Sequence, residues 1–489
     1  MGSRRRTIWT LIGLATTAAG LLPQAAAAAD GSLTRLDGRA GCLSVAGERG
    51  LPGCTRVHGL GEPRGVAVSP GGRSVYVTSV RANSVAAFRR NRATGALRQL
   101  RGRFGCLRAG GGLGCSRARG LRGAHDIVIT GDGRNVYVAG TDAVSVFRRD
   151  LRTGRLHQLR GRAGCVADRP VQSPDPGCRR GRALTHPDGL ALSPSGHFLY
   201  VASTWDMESG PPQGGIAVFR RSPRTGRLTQ LRGAKGCVSA QALERCARGS
   251  LPTIGATGVE IDRGGETLYV AANDRIVVFD RGPGGVLQEL PLPGRCVRHL
   301  GEGGCTPARA FETGPRALAA SPRGLDGIYA SSAFFVFPGM RHGSVLNLVR
   351  DPDSGALNQF PGAVGCISSS DTQGCATTHS AMASPAGIEV SRDGRNVYVV
   401  QTPELDGDGV VVFARNPATG ELSQLPGPAG CIAHNPPQTG CADSLGLTAT
   451  AIALSRDGRN AYVTSGGSAP GTSPFPPAPD AVAVYERAG

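Results

Sequence analysis

Lysine is all but missing from this chain of 489 residues: among 55 basic side chains Lys235 is the single lysine, so a formal net charge of +19 rests on arginine. Aromatic residues are scarce at 5%, and charged residues reach only 19% against 40% hydrophobic. That balance excludes a disordered polyelectrolyte. Past the first thirty residues no apolar run approaches the roughly 18 residues that a membrane helix needs, which excludes a helical membrane protein. No cysteine follows the N-terminal apolar run, so no lipid anchor is expected there, and no two cysteines stand at the Cys-x2-Cys spacing of a zinc site.

What is present begins with a leader. Arg4, Arg5 and Arg6 precede an apolar run at 8–22 and an alanine stretch at 25–29, the charged, apolar and small-residue order of a secretory signal. Residues 1–29 are read as a signal peptide and 30–489 as one mature domain, secreted or held in the periplasm or at the cell surface. Ser3-Arg4-Arg5 also fits a twin-arginine signal, so the export route stays open. Fourteen cysteines in an exported chain imply disulfides, because the space beyond the membrane is oxidising.

One module recurs seven times. It opens with a short apolar run, a glycine turn and a second β-rich run, as in Gly65-Val66-Ala67-Val68, Gly71-Gly72 and Val75-Tyr76-Val77. The pattern returns at 127–138, 190–201, 259–270, 318–329, 388–399 and 452–463. Asp132-Gly133, Asp393-Gly394 and Asp457-Gly458 mark tight hairpins, since both residues tolerate positive φ. A third strand follows (144–147, 216–219, 276–279, 410–413), then a turn and a more polar fourth strand ending in Gln-Leu (97–100, 156–159, 228–231, 422–425). The second run is nearly continuously apolar, as expected of a strand buried on both faces.

These units predict an all-β fold: a seven-bladed β-propeller of four-stranded antiparallel blades. The mature chain begins with a lone fourth strand at 33–36 and ends with a third strand at 482–485. Pairing them would complete the last blade from both ends and remove an exposed sheet edge. The cysteines fall into seven neighbouring couples: Cys42 with Cys54, Cys106 with Cys115, Cys165 with Cys178, Cys237 with Cys246, Cys296 with Cys305, Cys366 with Cys375, and Cys431 with Cys441. One local disulfide per blade is expected. The arginine doublets Arg89-Arg90, Arg148-Arg149 and Arg220-Arg221 read as solvated outer-strand positions, so no specific nucleic-acid partner is implied, and a monomer is expected.

In such a meander the 1–2 and 3–4 turns share one face of the disc, and the other face receives the cysteine loops and the insertions at 204–215, 333–343, 401–409 and 466–479. By register, the residues starting the innermost strand on that second face are Arg64, His125, Asp188, Thr257, Arg316, Ala386 and Thr450. Arginines, a histidine and a carboxylate around one mouth suit an anionic or sugar-like ligand. Arg64 could instead pair with Asp188. Glu260 and Glu389 occupy a position that is alanine or valine in the other five units. They are candidates for a base, for a central divalent cation, or for ion pairs with arginines of neighbouring blades. Trp205 and the cluster Phe334, Phe335 and Phe337 lie in or beside site-face connections, where they are expected to pack between loops and could alternatively stack on a glycan. Asp406-Gly-Asp408-Gly lacks further calcium-loop spacing and reads as a turn.

The segments 391–399 (Ser-Arg-Asp-Gly-Arg-Asn-Val-Tyr-Val), 410–413 and 419–425 (Thr-Gly-Glu-Leu-Ser-Gln-Leu) resemble the lactonase family of seven-bladed propellers, related to the phosphogluconolactonase-type and YVTN-repeat proteins. Gly314-Pro315-Arg316 is similar to that family's Gly-Pro-Arg-His segment, with Ala317 in place of the histidine, and Ala330-Ser331-Ser332 stands where many members carry Asn-Glu-Leu. His186-Pro187-Asp188 resembles a recurrent His-Pro motif before an inner strand. The resemblance implies a lactone hydrolase. His125, or else Glu260, would serve as base, Arg64 and Arg316 would stabilise charge, Asp188 would orient, and His186, Trp205 and Glu389 would contact ligand. The alternative expectation is a non-catalytic secreted propeller that binds a glycan, a cell-wall component or a protein on its disulfide-bearing face.

Overall fold

The computed structural model describes residues 29–489 apart from 169–176, 205–213, 241–244, 251–254, 324–325, 337–339, 371–372, 379–381, 383, 403–408, 434–439, 445–446 and 468–478. Residues 1–28 of the expected signal peptide, Trp205, Phe337, Asp406 and Asp408 thus lie outside the described residues, as do the side chains of Phe334 and Phe335.

Seven β-sheets account for the fold, one per repeat, with no α-helix among the described residues. In the first blade the inner strand Pro63–Val68 pairs with Ser74–Ser79, which pairs with Ser84–Arg90. The second strand is buried at every position, as in Asn135–Gly140, Phe198–Ser203 and Asn396–Gln401, because neighbouring sheets cover both of its faces. The core therefore lies between blades rather than within them. Tyr76, Val85 and Leu107 of the first blade pack with Val136, Val138 and Phe147 of the second. Each fully buried side chain of this size contributes roughly 1.5–3 kcal/mol.

The ring closes as the sequence order requires. Leu33–Arg35 pairs antiparallel with Ala481–Arg487, and Cys42–Ser44 pairs with the same strand further along. All seven disulfides form within the local couples, with Cα–Cα distances such as 4.9 Å for Cys42–Cys54 and 4.8 Å for Cys106–Cys115.

Three expectations need correction. Each blade has six strand segments rather than four. After Leu97–Gln99 a single turn, Gly102–Phe104, interrupts the fourth strand; it resumes as Cys106–Ala109, still antiparallel to the third strand, and Ser116–Ala118 then adds in parallel. Parallel strands ordinarily need a crossover of a dozen or more residues. Here the disulfide ties together the starts of the two strands, so a much shorter loop suffices. The insertion at 333–343 is likewise no loop: Gly327–Val336 and Met340–Arg350 continue as a paired hairpin.

The third correction concerns the arginines. Arg90, Arg149 and Arg221, the second member of each doublet, are buried at 3%, 5% and 4% exposure, and Arg415 and Arg487 match them. A buried guanidinium needs partners. They are supplied by the preceding blade: Arg149 Nε donates to Tyr76 Oη at 2.8 Å, Arg415 Nε to Tyr329 Oη at 2.6 Å, and Arg487 Nε to Tyr398 Oη at 2.7 Å. The same tyrosines donate forward, Tyr76 to the Gly154 carbonyl and Tyr329 to that of Gly420. The Gln of each Gln-Leu pair has a similar task. Gln99 accepts from His58 N and donates to the His58 and Gly105 carbonyls, pinning the chain where it enters the blade.

Candidate functional site

Every inner strand begins with a local slip of register. The partner sequence skips between Pro63 and Val66, Pro187 and Gly189, Ala256 and Gly258, Pro315 and Ala317, Pro385 and Gly387, and Ala449 and Ala451. In the second blade His125 N donates to Ala139 O while Ala139 N donates to Asp126 O, again two residues opposite one. Such bulges re-aim a side chain at the end of a strand. The seven residues at these slips, Arg64, His125, Asp188, Thr257, Arg316, Ala386 and Thr450, all line one cavity of about 850 Å³ at the axis.

The cavity joins residues from separate blades. His125 Nδ1 lies 2.9 Å from Asp188 Oδ1, with the two side chains 41% and 25% exposed to the channel. Desolvation pulls the imidazole pKa down, but the charge of Asp188 and its hydrogen bond outweigh this against the opposing Arg64, and the net shift is upward. Arg64 does not pair with Asp188. Its Nη2 lies 2.9 Å from Glu62 Oε1 on the rim. Arg316 is exposed at the mouth beside Thr313 and Asn273. Thr450 donates to Pro63 O at 2.7 Å, so its hydroxyl ties the last blade to the first.

Deeper in the channel stand three carboxyls. Asp126 Oδ1 accepts from Ile127 N at 2.7 Å, and Oδ2 accepts from Leu190 N of the next blade at 2.8 Å. Burial raises its pKa against the pull of those two donors. Glu260 is pushed up to about 7 by burial, opposed by the Ile261 N–H and helped by Asp126. Glu389 is pushed up to about 8 by burial and by Glu260. No arginine pairs with either glutamate among the described residues, contrary to one of the expectations above. Nor do three or more His, Cys, Asp or Glu side chains gather to hold a metal ion among these residues.

Asp126 is the residue that register reasoning passed over. The aligned positions are Gly65, Gly189, Gly258, Ala317, Gly387 and Ala451. Inner strands crowd there: a Cβ on Gly189 would come within 3.1 Å of Gly258 Cα, and one on Gly65 within 2.5 Å of His125 O. One aspartate among six small residues was the available signal. His186 does not reach the cavity. Its backbone is left-handed at φ 46, its N–H donates to Thr141 O, and its carbonyl accepts from Thr204 N.

Fold and geometry together define a closed seven-bladed propeller with an open axial mouth lined by ionisable groups contributed by several blades. Neither a family model nor a curated protein matches the chain. Solved structures do. It is similar to a candidate 6-phosphogluconolactonase of Bacteroides uniformis at 16% identity and TM-score 0.48, covering 78% of this chain and 85% of that one. It is also similar to the periplasmic gluconolactonase PpgL of Pseudomonas aeruginosa at 16% and 0.43, over 81% and 93%, and to the hydrazine synthase of Kuenenia stuttgartiensis at 14% and 0.48, over 85% and 96%. These are likenesses of fold. Among the described residues no helix is long and apolar enough to cross a membrane.

Proposed function

We propose that this chain is an exported hydrolase that opens a lactone ring in the axial mouth. The observation that carries the reading is the 2.9 Å contact between His125 Nδ1 and Asp188 Oδ1, a histidine and its orienting carboxylate drawn from adjacent blades. With Nδ1–H held by Asp188, the other ring nitrogen takes a proton from water. The resulting hydroxide adds to the lactone carbonyl, and the oxyanion faces the guanidinium side of the mouth, where Arg64 and Arg316 stabilise it. On collapse the ring C–O bond breaks and the imidazolium returns its proton to the departing alkoxide. The products are a free hydroxyl and a carboxylic acid, which releases its proton to solvent. Glu260, with its pKa near 7, is the second choice of base.

Seven disulfides suit the oxidising space outside the cytoplasmic membrane, which supports export. The sequence resemblance to lactonase-type propellers supplies the substrate class. The test is a panel of five- and six-membered sugar-acid lactones assayed with the wild type, His125→Ala, Glu260→Gln and Arg316→Ala. Loss of the base is expected to lower kcat by about 10²–10⁴-fold. Activity must also fall on the acid side, with a midpoint above the ordinary histidine value of 6.5, because only the neutral ring accepts a proton and its pKa is raised. A wild type inert toward the whole panel, or one equalled by Arg316→Ala, removes the proposal.

A further inference from the structure

The opposite face of the disc, built from the short hairpin turns, carries a second depression of about 550 Å³ where the seventh, first and second blades meet. Arg73, Arg92, Arg149 and Arg456 line it together with Asp132 and Asp457. Both carboxylates are already engaged. Asp457 takes a two-pronged contact from Arg90 at 3.0 Å through each oxygen, and Asp132 takes Arg221 at 3.1 Å. None of the four lining guanidiniums makes an ion pair with either carboxylate.

Arg149 belongs, with Arg281 and Arg415, to the blade-joining arginines that bond a tyrosine hydroxyl and a glycine carbonyl but no carboxylate, and among these three it is the one that lines this depression. Arg90, Arg221 and Arg487 meet Asp457, Asp132 and Asp393, which follow the inner strand of the preceding blade. In the first blade the aligned residue is Gly71. Arg149, only 5% exposed, has the Tyr76 hydroxyl, the Ser74 hydroxyl at 3.0 Å and the Gly133 carbonyl, but no carboxylate. Among the described residues the side chains of Arg73, Arg92 and Arg456 make no hydrogen bond or ion pair with the protein. A buried guanidinium without a carboxylate, with three exposed guanidiniums around it that pair with no protein group, makes this hollow a positive field that attracts anions.

We infer that this depression is a binding site for a phosphate-type oxyanion carrying more than one negative charge. Guanidinium forks match the spacing of phosphate oxygens, and four of them around one hollow favour a multivalent group over a single carboxylate. The site is separate from the axial mouth and does not depend on the proposed hydrolysis.

The hairpin supplies its own control. A Cβ on Gly71 meets nothing within 4 Å, and three other blades carry aspartate there, so Gly71→Asp places the missing carboxylate beside Arg149 without disturbing the turn. The experiment titrates inorganic pyrophosphate into the full mature chain by calorimetry and follows the thermal midpoint. A parallel arm uses a glycerol-phosphate polymer. The wild type is expected to bind saturably, to gain a few degrees in midpoint, and to weaken steeply with added salt. Gly71→Asp and Arg456→Ala should each weaken binding by about tenfold or more, the former while raising the midpoint of the unliganded protein. A polymer that binds more tightly than pyrophosphate assigns the phosphate to a repeating chain, and equal affinity assigns it to a free anion. Absence of saturable binding in the wild type, or unchanged affinity in both variants, overturns the inference.

Discussion

Arg90 Nε in the first blade donates to Tyr462 Oη in the last at 2.6 Å, and the tyrosine in turn donates to the Gly95 carbonyl at 2.9 Å. One phenol thus serves both directions across the junction between the last blade and the first. Burial keeps such phenols protonated, as seen in Tyr200 and Tyr329, whose pKa values rise to about 12 against the pull of Arg281 and Arg415.

Tyr462→Phe should therefore destabilise the ring. It leaves Arg90 Nε and the Gly95 carbonyl without their partner, a change expected to cost about 1–3 kcal/mol. Denaturant unfolding of the variant beside the wild type reads this directly. An unchanged midpoint would show that Asp457 and Asn460 alone hold Arg90.

Asp126 links the strand bearing His125 to the strand bearing Asp188 through its two backbone acceptor contacts. Asp126→Gly, which installs the residue found at that place in four other blades, removes the link and a negative charge that raises the His125 pKa. The expected result is a lower titration midpoint for the His125 ring, followed by NMR across pH 5–9. Destabilisation with an unmoved midpoint would assign Asp126 to the scaffold alone.

Glu389 ties stability to pH. Its folded pKa, about 8, lies above the ordinary glutamate value of 4.5. The native state therefore holds a proton that the unfolded chain has released, and stability declines as pH rises between those two values. Glu389→Gln should match the wild type near pH 4.5 and exceed it at pH 9 in thermal midpoint. Parallel curves across the range would contradict the buried, protonated carboxyl.

Much of this fold was legible because its signals are periodic. The run Val75-Tyr76-Val77 returns with every blade, and the cysteines return with it. The stray strand at 33–36 has its missing neighbour only at 481–487. The mouth was legible for the same reason, since counting back from the aligned Tyr76, Tyr137 and Tyr200 lands on Arg64, His125 and Asp188. Other features depend on distances between blades, which no local pattern encodes. Arg149 reads as a surface residue until Tyr76 of the neighbouring blade is placed beside it. Asp126 reads as an irregularity until Leu190 N comes within reach. The parallel pairing of Ser116–Ala118 follows from a covalent tie rather than from an alternation of side chains.

Each cystine joins residues only 9 to 13 positions apart, and even Cys42–Cys54, which ends up in the sheet completed by the C-terminal strand, lies wholly in the N-terminal segment. Oxidation can accordingly proceed couple by couple as the polypeptide emerges, without waiting for its far end to arrive. The circle itself carries no covalent seam, so thiol chemistry and the final joining of the ends are independent events in the life of the molecule.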